Sequence, residues 1–105
     1  MSTLHHNKLV RDRIPEIIKA SGRSCRTEIL STDSYLVMLD QKLNEELGEY
    51  QESKSMEEIA DLLEVIRAVV KARGSSMEEV ERIRCEKAEK RGEFEKRILL
   101  LEVSD

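Results

Sequence analysis

The fold of this chain is decided by residues 35–70, which read YLVMLDQKLNEELGEYQESKSMEEIADLLEVIRAVV. Apolar residues recur every three or four positions on both sides of the polar interruption at 53–55, which is the spacing of amphipathic helices. A short connection of this kind joins antiparallel neighbours. The stretch therefore predicts a helical hairpin, with helices over 33–52 and 56–72.

Capping residues and glycines set the boundaries of the predicted helices. Two further helices are expected, a short one over 13–20 with Pro15 in its first turn and a longer one over 77–91. Ser, Thr and Asp begin helices because their side chains accept a free backbone N–H, and Gly ends them. The expected N-caps are Asp12, Ser31 or Thr32, Ser55 and Ser76, and the expected terminators are Gly22, Gly74 and Gly92.

Two short segments have a β-like pattern. Residues 26–30, RTEIL, alternate weakly, and residues 98–103, ILLLEV, form an apolar run after the last helix. Runs of this composition favour extended backbone. We expect either two short strands that pair with each other or connectors without regular structure.

Length and composition favour one domain spanning residues 1–105. Of the 105 residues, 38% are charged and 39% are hydrophobic, and the aromatic residues are two Tyr and one Phe. A chain of this size buries only a small core, so association between copies is expected to complete it. We expect an all-α, small antiparallel helical bundle completed by oligomerisation.

Charge and hydropathy exclude several classes of protein. The 18 Lys and Arg nearly balance the 22 Asp and Glu, giving a net charge of −4, so a general basic footprint for a nucleic-acid polymer is missing. The sequence offers neither an apolar window of membrane-spanning length nor a signal peptide, which predicts a cytoplasmic protein without a membrane partner. Cys25 and Cys85 are then expected to be reduced and buried, and His5-His6 to be a terminal pair without a metal.

Four carboxylates occupy helix positions where apolar residues are expected. At about 100° per residue, Glu46 and Glu49 project within the apolar arc of the second helix, and Glu58 and Asp61 within that of the third. The hairpin brings these two acidic pairs toward a shared surface. A buried carboxylate persists only if it is protonated, paired with a cation or bound to metal, and oxygen ligands suit Mg²⁺ or Mn²⁺.

A second interpretation of the same residues needs no metal. Glu58 can act as the returning side chain of the capping box that Ser55 opens. Positions at the edge of a wide apolar arc are often half-exposed, where Glu is harmless. Lys42, on the acidic side of the second helix, is expected to form a salt bridge with Glu46 or Glu49. The pattern alone leaves both interpretations open.

The acidic pairs at 46–49 and 58–61 together resemble the ExxE…ExxD motif of the all-α nucleoside triphosphate pyrophosphohydrolases. This superfamily includes MazG, the dimeric dUTPases and the phosphoribosyl-ATP pyrophosphohydrolases. Two further segments, NKLVRDRIPEII at 7–18 and EKAEKRGEFEKRI at 86–98, are similar to a small MazG-related subgroup. Together the three matches span nearly the whole chain, from residue 7 to residue 98.

This resemblance implies an α-helical, oligomeric enzyme that depends on Mg²⁺, with Mn²⁺ as a possible substitute. The implied reaction cleaves a nucleoside triphosphate between the α and β phosphates and releases the monophosphate and pyrophosphate, in the removal of unwanted or modified nucleotides. Carried onto this sequence, the resemblance makes Glu46, Glu49, Glu58 and Asp61 the metal ligands. Glu45 is then the candidate to orient or deprotonate the attacking water.

The triphosphate also needs cationic partners from the protein. Lys87 and Arg91 form an i, i+4 pair on the fourth helix. As in the family pattern, they are expected to face a groove and bind phosphates. The alternative is that they pair with Glu residues of the same helix. The opening segment supplies a second set. The predicted phosphate-binding residues are Lys8, Arg11, Arg13, Lys87 and Arg91, with Arg97 as a weaker addition.

The sequence also departs from the family pattern. Eight residues separate Glu49 from Glu58, fewer than in many relatives, which leaves less room to recognise a base. Tyr50 can stack on a nucleobase or lie in a core or dimer interface. Two alternative functions stay open: hydrolysis of phosphoribosyl-ATP in histidine biosynthesis, and a non-enzymatic helical dimerisation or regulatory module.

Overall fold

The structure, a computed structural model, describes residues 7–105 and contains four helices. These residues include no β-strand, so the prediction of an all-α chain is confirmed. The two later helices have the predicted boundaries, and the second extends by one residue at each end. The elements are α1 (Ile14–Ala20), α2 (Thr32–Ser53), α3 (Met56–Ala72) and α4 (Met77–Arg91). His5 and His6 lie outside the described residues.

Serine side chains cap three of the four helices as predicted. The Oγ atoms of Ser31, Ser55 and Ser76 accept hydrogen bonds from backbone N–H groups three residues ahead, at 3.2, 3.4 and 3.2 Å. Each bond satisfies a donor that has no partner within its helix. The Ser31 and Thr32 alternatives are thereby resolved in favour of Ser31.

The predicted cap of α1 by Asp12 is wrong. Arg13 holds the N-cap position, and no side chain there accepts a hydrogen bond. Pro15 is the second residue of α1 and has no N–H for a cap to bind. The helix begins instead from a turn in which the Ile14 N–H donates to the Arg11 carbonyl at 3.0 Å.

The main tertiary contact of the chain is between α2 and α3. The chain reverses at Lys54, whose backbone adopts the left-handed conformation with φ +58° and whose ammonium lies 5.6 Å from the centre of the Tyr50 ring. Leu39 on α2, 4% exposed, is the one buried hydrophobic residue of the described chain. The hairpin is therefore the folded centre of the subunit, and its core is very small.

The remainder of the chain extends away from this hairpin. Helix α4 contacts α3, and no contact joins α4 to α2 within residues 7–105. The radius of gyration is 18.8 Å and the extents are 67 × 31 × 24 Å, whereas a compact domain of this length has a radius of gyration of about 13 Å. A single subunit is thus elongated and leaves much apolar surface uncovered.

The two β-like segments form no strands. Residues 26–30 and 98–103 have no regular secondary structure, which corresponds to the connector alternative. Their apolar side chains are exposed, among them Ile29 at 95%. An isolated two-stranded pair is at best marginal in water, and no sheet edge lies nearby to receive these segments.

The expectation that both cysteines are buried is also wrong. Cys85 is exposed and Cys25 is half-buried. Gly92, the expected terminator of α4, is its C-cap residue with φ +82° and ψ −177°, and Phe94, two residues further on, is 99% exposed. Within residues 7–105, α3 is the one helix in contact with α4, which leaves Cys85 and Phe94 uncovered.

Candidate functional site

The hairpin brings three of the predicted metal ligands together. Carboxylate oxygens of Glu46, Glu58 and Asp61 all lie within 4.8 Å of one another. Glu46 comes from the second half of α2, and the other two come from the first two turns of α3. Because the chain reverses between these stretches, residues on either side of the turn face each other. We call these three residues the acidic group.

Two oxygens of the acidic group are buried without a hydrogen-bond partner. They are Glu46 Oε2 and Glu58 Oε2. Glu46 is only 7% exposed, and Glu58 is half-buried. A buried acceptor without a partner costs free energy, and the cost is greater for a charged group. The arrangement is consequently unfavourable for the protein by itself and favourable for a bound cation.

Burial also changes the protonation of Glu46. Desolvation raises the pKa of this carboxyl above its ordinary value, and the nearby charges of Glu49 and Asp61 raise it further. A hydrogen bond from Lys42 opposes the increase. Lys42 Nζ lies 3.4 Å from Glu46 Oε1, which confirms the predicted salt bridge and assigns it to Glu46.

The side chain of Glu58 is not explained by helix capping. Its backbone N–H donates to Ser55 Oγ at 3.4 Å, as a capping box requires. The reciprocal bond is absent among the described residues: the Ser55 N–H donates instead to Ser53 Oγ at 3.2 Å. The carboxylate of Glu58 is therefore not used by the cap, and one of its oxygens converges with those of Glu46 and Asp61.

Glu45, the candidate to activate water, lies beside the acidic group between two lysines. Lys8 Nζ lies 3.0 Å from its Oε1, and Lys42 Nζ lies 3.5 Å from its Oε2. The hydrogen bond from Lys8, together with the positive charges of Lys8 and Lys42, lowers the pKa of Glu45. Neighbouring carboxyls on one helix thus have pKa values shifted in opposite directions.

The opening segment contributes a second cation to the site. Arg11 donates from Nη2 to Asp61 Oδ1 at 2.8 Å. Arg13, two residues later, pairs with Glu16 of α1 at 3.3 Å and does not contact the acidic group. Two of the three cations predicted in this segment therefore reach the hairpin carboxylates, and the third pairs within its own neighbourhood.

Glu49 lies apart from the other three predicted ligands. It is exposed, and its carboxylate lies outside the acidic group, although its charge still acts on Glu46. The apolar arc of α2 predicts a buried position. Within residues 7–105, α3 is the one helix in contact with α2, and it leaves Glu49 exposed.

The cations of the C-terminal part do not reach the site within one subunit. Lys87 and Arg91 on α4 are exposed, as is Arg97 in the segment that follows. No ion pair of the described chain joins any of these three residues to the acidic group. Their expected role in phosphate binding stays a prediction.

An open cavity of about 250 Å³ lies between the opening segment and α2. Its lining includes the cations Lys8 and Lys42, the carboxylate of Glu45 and the amides of Asn7 and Gln41. Sequence analysis did not single out the two amides. The spacing of Gln41 and Glu45, one helical turn apart, is the signal that could have found the first of them.

The donor set fits a small, hard divalent cation. All donors of the acidic group are carboxylate oxygens, the ligand type that Mg²⁺ and Mn²⁺ prefer. Such an ion would take its ligands from these carboxylates, and two of their oxygens have no hydrogen-bond partner. Neither Cys nor His belongs to the group, so a site for Zn²⁺ or another soft ion is not indicated.

Comparisons with known proteins neither name a family nor assign an activity. No protein-family model matches the sequence. Over 42 residues the chain is 57% identical to a protein of Mycolicibacterium smegmatis that is described as uncharacterised, and the match covers 40% of this chain and 43% of that protein. No solved structure matches. Within residues 7–105, the helices all lack the length or the apolar character needed to cross a membrane.

Proposed function

We propose that this protein is a Mg²⁺-dependent nucleoside triphosphate pyrophosphohydrolase of the MazG-like type, which cleaves between the α and β phosphates. The observation that carries the proposal is the acidic group, in which two buried carboxylate oxygens have no hydrogen-bond partner. A cation-binding hairpin flanked by basic side chains is suited to a substrate with several phosphates. Mn²⁺ is expected to substitute for Mg²⁺.

Each residue of the site has a distinct role in this proposal. Glu46, Glu58 and Asp61 hold the ion, and Glu49 joins them as the fourth ligand on binding. When bound, Mg²⁺ supplies positive charge that offsets the charge of the triphosphate and polarises a phosphoryl oxygen. Glu45, kept ionised by its lysine neighbours, accepts a proton from the attacking water.

The basic residues receive the phosphates. Lys8 and Arg11 already lie at the hairpin, where they pair with Glu45 and Asp61. Lys87 and Arg91 project from α4 into solvent and are available to a ligand or to a second subunit. An i, i+4 pair of cations on one helix face suits adjacent phosphate groups.

We further propose that the functional unit is a homo-oligomer. A subunit with one buried hydrophobic residue and an elongated shape has too little core to be stable alone. Among residues 7–105, the segment 98–103 is the largest uncovered apolar run, with side chains 74–82% exposed at Ile98, Leu99, Leu100, Leu101 and Val103. A second copy of the chain that covers this surface would supply the missing core.

The reaction is tested by incubating the protein with a panel of NTPs and dNTPs and with phosphoribosyl-ATP, in Mg²⁺ or in EDTA. Release of pyrophosphate that requires Mg²⁺ and is lost in the Glu46→Gln/Glu49→Gln double variant would support the proposal. Release of orthophosphate would refute the proposed bond. Selective turnover of phosphoribosyl-ATP would assign the protein to that alternative reaction.

A thermal-shift measurement separates the enzyme from a helical module without chemistry. An ion that binds only the folded protein adds about 2.7 kcal/mol at 100 times its Kd. We expect Mg²⁺ or Mn²⁺ to raise the melting temperature of the wild-type protein and to have no effect on Glu46→Gln. A non-enzymatic dimerisation module predicts no metal-dependent shift in either protein.

A further inference from the structure

The opening segment, residues 7–13, is tied to both helices of the hairpin by two ion pairs. Lys8 Nζ contacts Glu45 Oε1 on α2 at 3.0 Å, and Arg11 Nη2 contacts Asp61 Oδ1 on α3 at 2.8 Å. The paired residues are 37 and 50 positions apart in the sequence. Residues 7–105 contain no further ion pair between this segment and the hairpin. The segment is thus tied to α2 beside the acidic group and to α3 at Asp61, a member of that group.

Arg11 pairs with a carboxylate that a bound cation would need. Asp61 is one of the three residues whose carboxylate oxygens converge within 4.8 Å. The other two carboxylates each keep a buried oxygen without a partner, whereas Asp61 is neutralised by the guanidinium. A divalent cation that enters the acidic group therefore competes with Arg11 for Asp61.

We propose that Arg11 is a placeholder for the cation, and that cation binding moves Arg11 from Asp61 to a phosphate of the substrate. This inference rests on the proposed function. A guanidinium binds carboxylate and phosphate with the same planar fork of donors, so the exchange conserves its hydrogen bonding. Both members of the pair are partly exposed, and exposed ion pairs contribute little free energy. The exchange couples metal loading to phosphate binding.

The first test is the affinity of the nucleotide-free protein for Mn²⁺, measured by calorimetry in wild type and Arg11→Gln. Removing the competitor is expected to tighten Mn²⁺ binding about two- to fivefold, the range that corresponds to one exposed ion pair. Arg73→Gln is the matched control. Arg73 forms a similarly exposed pair with Asp40 at 3.2 Å, away from the acidic group, and its loss is expected to leave Mn²⁺ affinity unchanged.

The second test follows the released guanidinium with inorganic tripolyphosphate as the probe. Binding of tripolyphosphate to the Mn²⁺-loaded protein is expected to weaken about three- to tenfold in Arg11→Gln. Arg11→Gln is thus expected to tighten the binding of Mn²⁺ and to weaken the binding of tripolyphosphate. A residue that only supports the structure would weaken both, and a residue that only binds phosphate would leave the Mn²⁺ affinity unchanged.

Limited proteolysis reports the movement directly in the wild-type protein. Trypsin cleavage after Arg11, relative to cleavage after Arg26 in the connection between α1 and α2, is expected to accelerate when Mn²⁺ is added. If Mn²⁺ leaves the ratio of the two cleavage rates unchanged, or if Arg11→Gln binds Mn²⁺ with the affinity of wild type, the proposed role of Arg11 is wrong. The proposed metal site would not be affected by either result. Failure of wild type to bind Mn²⁺ would overturn both proposals.

Discussion

Ten of the 15 residues of α4 are charged, against 14 of the 41 residues of the α2–α3 hairpin, and the two regions satisfy these charges differently. On α4, Arg82 pairs with Glu79 and Glu86, and Arg84 pairs with Glu81, all within one helical turn and all exposed. In the hairpin, cations reach Glu45 and Asp61 from the opening segment, and two carboxylate oxygens have no partner. Charges that pair within their own helix form an ordinary solvated surface. In the hairpin, some carboxylates pair with cations from the opening segment, and some carboxylate oxygens have no partner.

The pKa values follow the same division. The hydrogen bond from the Arg84 guanidinium lowers the pKa of Glu81 to about 2, on a fully exposed helix surface. Burial raises the pKa of Glu46 in the hairpin. Acidic composition therefore does not identify a functional carboxylate. Burial without a partner distinguishes the hairpin acids from those of α4.

The largest effect on the rate of pyrophosphate release is expected from substitution of a proposed metal ligand in the hairpin. The matched control is the same substitution on α4. Glu46→Gln should lower pyrophosphate release at least about 1,000-fold, because a bound metal contributes several kcal/mol to transition-state stabilisation. Glu81→Gln, the same substitution on the exposed helix, should leave the rate unchanged. Steady-state kinetics at saturating Mg²⁺ provide the comparison. Equal losses in the two variants would show that the hairpin acids have no special role.

Glu45→Gln is expected to lower kcat about 100-fold, since positioned general bases contribute at least this much. Because Glu45 lies beside the acidic group without belonging to it, Mn²⁺ affinity should stay near that of wild type. Calorimetry and single-turnover kinetics measure the two quantities separately. A variant that loses Mn²⁺ binding and activity together would make Glu45 a ligand in place of a base.

A third prediction concerns the uncovered C-terminal segment. Leu100→Asp should weaken self-association about tenfold or more, because covering a leucine side chain contributes roughly 1.5–3 kcal/mol. Ile29→Asp, at a more exposed apolar residue between α1 and α2, is the matched control and should leave the oligomer intact. Sedimentation velocity across a concentration series gives the dissociation constants. A wild-type chain that stays monomeric at all concentrations would refute the proposed oligomer.

The smallest effect is expected in the pH dependence of the metal-free protein. The folded pKa of Glu46 is raised, so its contribution to stability is complete below the unfolded pKa and is lost as pH rises through the folded value. Glu46→Gln removes this loss. The stability of the variant relative to wild type should therefore increase from about pH 4 toward neutral pH, by an amount small against the roughly 1 kcal/mol of a typical substitution.

Chemical denaturation of both proteins in EDTA at several pH values measures this difference. Glu45 contributes with the opposite sign, because its lowered pKa favours the folded state above the unfolded pKa. Since Glu45 is present in both proteins, its contribution cancels in the comparison. A difference that is constant with pH would show that burial does not perturb Glu46.

Most of the helical architecture was predictable from local signals. The boundaries of α3 and α4 follow from serine caps and from the glycines near their ends, because these effects act within one helical turn. The capping error at Asp12 arose because Pro15 removes the N–H that a cap would bind. The β-like segments were ambiguous because pairing depends on a neighbour that sequence pattern does not supply.

The candidate site was predictable as a set of residues and only partly as a geometry. Helical projection placed Glu46, Glu58 and Asp61 toward one surface, and the structure brings their oxygens together. The projection also placed Glu49 in a buried position, whereas Glu49 is exposed in the structure. A projection shows which residues share an arc of the helix, but it does not show which part of that arc a neighbouring helix covers. The pairing of Arg11 with Asp61 spans 50 residues and has no periodic signal in the sequence.

The sequence by itself determined four helices, the caps of three of them and the placement of carboxylates on a face that should be apolar, because helical periodicity and capping are local properties. The tertiary structure decided which carboxylates meet, which oxygens are left without partners, and which cations reach them. It also showed that, within residues 7–105, α4 contacts α3 alone among the helices and the segment after α4 is exposed. These facts depend on how distant parts of the chain pack, and packing between elements is not encoded in the period of any one helix.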